Sequence, residues 1–83
     1  MRTLISIQSV DDFKLLCRFS DSAVKIADIK PFLAGVAFRS LQNHDDFSSV
    51  ENRSYYIEWP GHELDLSADT LWHIGINQET LSI

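Results

Sequence analysis

Over residues 13–19, Phe13, Leu15, Cys17 and Phe19 fall on one face of an extended chain, while Lys14 and Arg18 fall on the other with Leu16 between them. That period of two identifies a half-buried strand, with Cys17 as inert packing in the core. The flanking stretches are extended as well. Leu4–Val10 is rich in β-branched residues and halts at the turn signal Asp11-Asp12. After Ser20-Asp21-Ser22-Ala23 turns the chain, Val24–Asp28 resumes with Val24 and Ile26 on one face. Three strands joined by turns this short pair as an antiparallel meander. A capping-box pattern at Ser9-Val10-Asp11-Asp12 is outweighed by the strand-like sequence around it.

Beyond Asp28 the pattern changes. Asp28-Ile29-Lys30-Pro31 offers a capping side chain and a proline tolerated in a first helical turn, which predicts a short helix closing at Gly35. Residues 36–41 add a further helical turn or an irregular packed segment, and residues 43–46 form a polar loop. Residues 47–51 and 55–59 are expected to be two more strands around a turn at Asn52-Arg53-Ser54. In the second, Tyr55, Ile57 and Trp59 share the inner face, with Tyr56 and Glu58 on the other. Pro60-Gly61 ends that strand and a connecting loop follows. Ser67 then caps a final helix in which Ala68, Leu71 and Trp72 recur at helical spacing, Asp69 complements the helix dipole and Gly75 closes the last turn. The tail, residues 77–83, is too short to assign. The expected architecture is α+β: one antiparallel sheet of about five strands, with a short central helix and a C-terminal helix packed against it.

The 83 residues suffice for a single domain, which buries about two-thirds of the surface its unfolded chain exposes. With 45% hydrophobic residues and nine aromatics, the chain has the material for such a core. A lone cysteine excludes an intramolecular disulfide and a cysteine-based metal cluster. No apolar run is long enough for a signal peptide or a membrane span, so a cytoplasmic location is expected and Asn52-Arg53-Ser54 is a chance glycosylation sequon. Net charge is −5, unevenly spread: residues 1–40 carry six basic and four acidic side chains, residues 41–83 only Arg53 against eight acids. That balance argues against direct nucleic-acid binding and would draw a basic protein partner, although a solvated acidic surface also explains it.

The most tempting chemistry lies in IEWPGHELDLS, residues 57–67. His62, Glu63 and Asp65 are suitable zinc ligands, and His44-Asp45-Asp46 or His73 could add more. However, leucine stands where the second histidine of an HExxH motif would be, so no metal or cofactor is expected. Ser67, His62 and Asp65 could be assembled into a nucleophile–histidine–acid set, but no nucleophile elbow is present and no catalytic residue is assigned. Tyr55, Tyr56 and Trp59 could stack bases were it not for the acids beside them, which repel phosphate. The candidate partner-binding residues are therefore Tyr56, Glu58, His62, Glu63, Asp65 and Trp72.

The order of landmarks resembles the small prokaryotic domain of unknown function 2442. The resemblance rests on Phe19 and Asp21, Val24, Asp28-Ile29, Leu33, Gly35, Leu41, Phe47 and Val50, and above all on Ile57-Glu58-Trp59-Pro60-Gly61 followed by Asp65-Leu66-Ser67 and Leu71. Ser22-Ala23 stands where that family often has a glycine in its hairpin, and the stretch between Trp59-Pro60 and Asp65 lacks the family's usual Asn-Gly. The resemblance implies a small α+β domain, found alone or ahead of a DNA-binding helix-turn-helix, and often encoded beside another small protein in toxin–antitoxin-like or regulatory pairs. It supplies no catalytic residues. The expected function is thus a non-catalytic protein-interaction module, an antitoxin-like or regulatory accessory that binds a basic partner through its acidic half. The alternative is a small metal-dependent or hydrolytic enzyme using His62, Glu63 and Asp65. A homodimer formed through an exposed sheet edge is compatible with either.

Overall fold

The computed structural model describes residues 2–77. The meander is present: β1 (Leu4–Val10) pairs antiparallel with β2 (Lys14–Phe19), and β2 with β3 (Val24–Asp28). Leu15, Cys17 and Phe19 point inward and are fully buried with Leu4 and Ala27. Burial pushes the Cys17 thiol up to about 12, so the side chain stays a neutral packing group. Phe13, expected within the strand, lies in the β1–β2 turn, where Asp12 and Phe13 adopt φ of 63° and 59°. That turn throws the Phe13 ring edge-on against Phe47, 5.3 Å between centroids. The Asp12 carboxylate accepts a 2.9 Å hydrogen bond from the Lys30 ammonium, which holds it below the usual carboxylate range.

In the β2–β3 turn Asp21 accepts a hydrogen bond from the Ala23 N–H at 3.0 Å, and Ser22 is left at φ 76°. A side chain in that region is strained, whereas glycine adopts it freely. Ser22→Gly is therefore expected to raise stability by about 0.5–1 kcal/mol, read as a higher urea midpoint at unchanged slope. A lower midpoint would show that the Ser22 backbone carries no such strain.

The connection from Ile29 to Ser49 is built of short turns. Asp28 Oδ1 accepts from the Lys30 N–H at 3.0 Å in the turn that leads into the segment, but Ile29 holds the N-cap position without a side-chain capping bond, and Lys30–Ala34 winds as a 3-10 helix. A second 3-10 turn covers Arg39–Gln42. Ile29, Leu33 and Leu41 hold this segment to the core. The strand expected over residues 47–51 is corrected here. Asn43 accepts hydrogen bonds from the Asp45 and Asp46 N–H groups at 2.8 and 3.3 Å and starts α1 (His44–Ser48). An N-cap followed by two acids favours helix over loop, so Phe47 enters the core from a helix and only Glu51–Asn52 remains extended, as β4.

β5 (Tyr56–Trp59) places Ile57 and Trp59 in the core. Tyr55, expected inward, is instead exposed, because Ser54 at φ 70° reorients the chain just before it. The expected loop over residues 62–66 is a second correction. After a turn with Gly61 at φ 87° and Glu63 at φ 56°, β6 (Leu64–Ser67) pairs with β5 from Trp59↔Leu64 to Tyr56↔Ser67. The seven strands among the described residues form two antiparallel sheets, β1-β2-β3-β7 and β4-β5-β6, in place of the single sheet of about five strands anticipated.

Ser67 caps α2 (Ala68–Ile74) as expected, its Oγ accepting from the Thr70 N–H at 3.1 Å. That helix is not the last element, since β7 (Ile76–Asn77) follows and pairs with β3; the rest of the tail lies outside the described residues. The two sheets meet where the Leu4 N–H donates to Ser54 O at 2.7 Å and the Asn52 amide to Leu4 O at 3.0 Å. Fully buried Trp59 packs near the rings of Phe38 and Phe47 and donates its indole N–H to Phe47 O at 2.8 Å. No described helix is long and apolar enough to cross a membrane.

Candidate interaction surface

Strand β5 alternates, so with Ile57 and Trp59 inward, Tyr56 and Glu58 stand on the outer face of the three-stranded sheet. The register sets Glu58 directly between Glu51 of β4 and Asp65 of β6. Three carboxylates thus form one row across the sheet, a like-charge arrangement that costs stability unless a cation is supplied. Arg53 supplies it at one end: its guanidinium lies 2.7 Å from Glu51 and 3.0 Å from Glu58, and the Glu58 contact holds the guanidinium pKa above its ordinary value. Asp65, at the other end, has no cation within ion-pair distance among the described residues.

Exposed Glu63 stands at the β5–β6 turn. Together with Glu58, Gly61, Leu64 and Asp65 it lines an open depression of about 480 Å³. Tyr56, exposed and opposite Ser67, supplies an aromatic surface on the same outer face. Four of the six candidate residues are therefore brought together: Tyr56, Glu58, Glu63 and Asp65.

The other two are elsewhere. His62 turns toward the segment before α1, where its Nδ1 lies 3.0 Å from Ser40 Oγ and its Nε2 3.7 Å from Asp46 Oδ1. Asp46 was named beside His62 only within His44-Asp45-Asp46 as a possible further metal ligand and Ser40 not at all, and nothing in their spacing of 16 and 22 residues from His62 could have signalled this contact. The hydrogen bond ties the β5–β6 turn to the connecting segment. Asp46 is too far from the ring for a second one. Among the described residues, no group of three or more His, Cys, Asp or Glu side chains is placed to hold a metal ion.

Trp72 lies on the far side of α2, edge-on to Phe19 at 5.1 Å. Its indole is covered by two cations, with the Arg2 guanidinium 3.6 Å and the Lys25 ammonium 3.9 Å from the ring centroid. Lys25 also donates to Trp72 O at 2.9 Å, and Arg2 lies near Asp69 and Asp21. The sequence offered no hint of this cluster, because its members are brought together from three separated segments.

No curated protein and no solved structure matches the chain. A family model does, and it spans the meander, the connecting segment, the acidic row and α2. That match, over residues 4–77, is to the family described as protein of unknown function (DUF2442), and the chain belongs to it.

Proposed function

We propose that this protein is a non-catalytic interaction module that binds a basic protein partner on the outer face of β4-β5-β6. The observation that carries this reading is the row Glu51–Glu58–Asp65, continued by Glu63 and neutralised only at its β4 end by Arg53. A lysine or arginine of the partner would complete the row at Asp65, and Tyr56 would supply desolvated contact area beside it. Paired charges at this surface govern encounter rate and orientation more than they govern intrinsic affinity. Binding of this kind suits an antitoxin-like or regulatory accessory acting in the cytoplasm. His62 and Trp72, engaged inside the chain, are left out of the contact set.

Glu63→Lys/Asp65→Lys, which leaves the Arg53 ion pairs intact, is expected to slow association with the partner by about tenfold or more at low salt. The measurement is surface-plasmon or stopped-flow kinetics against the partner recovered by affinity capture, at several salt concentrations. Association rates that match the unmodified chain and ignore salt would overturn the proposal.

A further inference from the structure

On its β4 side the three-stranded sheet abuts β1, through the bonds between Leu4 and both Ser54 O and the Asn52 amide. On its β6 side no described strand follows. The register shows which backbone groups point into that open edge. The Ala68 N–H donates to Tyr55 O at 2.8 Å, and hydrogen-bonded pairs in an antiparallel ladder recur at every second residue. Leu66 and Leu64 therefore spend their backbone groups on Ile57 and Trp59, whereas the N–H and C=O of Asp65 and the N–H of Ser67 face away from β5. Side chains alternate along the same strand. Exposed Asp65 ends the acidic row on the outer face, while Leu64 and Leu66 turn inward yet are only half-buried, because the sheet stops there.

We propose, resting on the reading of this face as the site of a basic protein partner, that the partner adds an extended segment of alternating basic and apolar residues to β6, as a fourth antiparallel strand. A residue directly opposite Asp65 stands on the line of Glu51, Glu58 and Asp65. When basic, it gives Asp65 the cation that Arg53 gives the other end of the row. The next basic side chain, two residues along, stands beside Glu63 at the depression that Glu63 lines with Glu58 and Asp65. The apolar residues between them point inward and cover Leu64 and Leu66. Main-chain bonds to the open edge supply affinity, and the alternating side chains supply specificity.

A second copy of this chain does not suit the same edge. Two β6 strands paired about a two-fold axis keep their outer faces on one side of the joined sheet. Glu51, Glu58, Glu63 and Asp65 of both copies would then share that face, against one Arg53 from each. Like charges across adjacent strands are destabilising, so the charge that repels another acidic edge selects a basic one.

NMR titration of the full chain with a short capped peptide of alternating valine and lysine tests the added strand. Three forms of the peptide carry the same charge: unmodified, methylated on the lysine backbone nitrogens, or methylated on the valine backbone nitrogens. A lysine opposite Asp65 turns its own N–H toward β6, so a methyl group there blocks the pairing, whereas one on valine points to solvent. The unmodified and valine-methylated peptides are expected to bind alike, and the lysine-methylated one about tenfold or more weaker. Asp65→Lys, at an exposed position, is expected to weaken the unmodified peptide by about tenfold. Hydrogen exchange at the Asp65 amide is expected to slow by about tenfold or more in the bound chain. Equal affinity of all three peptides, each weakened by Asp65→Lys, overturns the added strand and leaves the basic-partner reading in place. Loss of binding through valine methylation alone overturns the antiparallel pairing. Failure of every peptide to bind, or unchanged exchange at Asp65, overturns the added strand as well, and the salt-dependent association of the captured partner then decides the broader reading by itself.

Discussion

Trp59→Ala is expected to leave the chain largely unfolded at room temperature. The indole is completely buried, lies 5.9 Å from the Phe47 ring and 6.1 Å from Phe38, and satisfies Phe47 O through its N–H. Removing so large a core side chain costs about 3–5 kcal/mol, and a buried carbonyl left without its donor costs roughly 1–3 kcal/mol more. A chain of 83 residues has a total stability of roughly 4–12 kcal/mol. The loss is comparable with the whole. Far-UV circular dichroism with urea titration checks this, and a midpoint near that of the unmodified chain would show that β5 is not the centre of the core. Trp59→Phe, which keeps an aromatic ring but not the donor, should fall between the two. Tyr56→Ala, three residues away on the exposed face, should change the midpoint little.

The same residue marks how far the sequence could be read. Ile57-Glu58-Trp59-Pro60-Gly61 looked like an inward strand end and its terminator, and both readings hold. The meander was legible because its period of two runs over long strands with clear turns. What followed Trp59 was not, because β6 is only four residues long and its two inward leucines alternate with an aspartate and a serine. So short a pattern is indistinguishable from a loop until its partner strand is known. The stretch before Trp59 misled for a different reason: apolar Phe47 and Val50 suggested a strand, while the deciding signal was the Asn43 cap with two acids behind it.

Part of the candidate surface was legible and part was not, on similar grounds. Glu58 and Asp65 were singled out for their charge, yet their placement side by side with Glu51 is a consequence of two strand registers. His62 and Trp72 were singled out for their chemistry, and both turned out to be held by residues far away in sequence: His62 by Ser40, Trp72 by Arg2, Phe19 and Lys25. Polar and aromatic side chains advertise what they could bind. Tertiary contacts decide which of them are already occupied.

Gly75→Ala is expected to destabilise the protein by about 1–3 kcal/mol, and the sign of the effect separates two explanations of this glycine. In sequence it reads as a helix stop, a role in which glycine is valued for left-handed backbone. Its φ is in fact −73°, a conformation open to any residue. On that view alanine should help, since it restricts the unfolded chain and gains about 0.4–1 kcal/mol where the native conformation suits it. Space says the opposite. A Cβ at this position would lie 2.8 Å from Leu71 O and 2.8 Å from the Lys25 Cβ, with the Lys25 Cδ at 3.1 Å. The Leu71 carbonyl already accepts the Gly75 N–H at 2.9 Å and belongs to the last turn of α2, so it cannot yield without loosening that turn. Lys25 is held just as firmly, by its bond to Trp72 O and its place over the indole. Gly75 is thus the point where α2 closes against β3 before β7 adds to the sheet edge. Urea midpoints of the alanine variant and of Gly75→Ala/Lys25→Gly settle the matter. The close approach predicts a lowered midpoint for the first and an added cost from Lys25→Gly smaller than that substitution carries alone. A raised midpoint for Gly75→Ala would return the residue to the role its sequence context suggests.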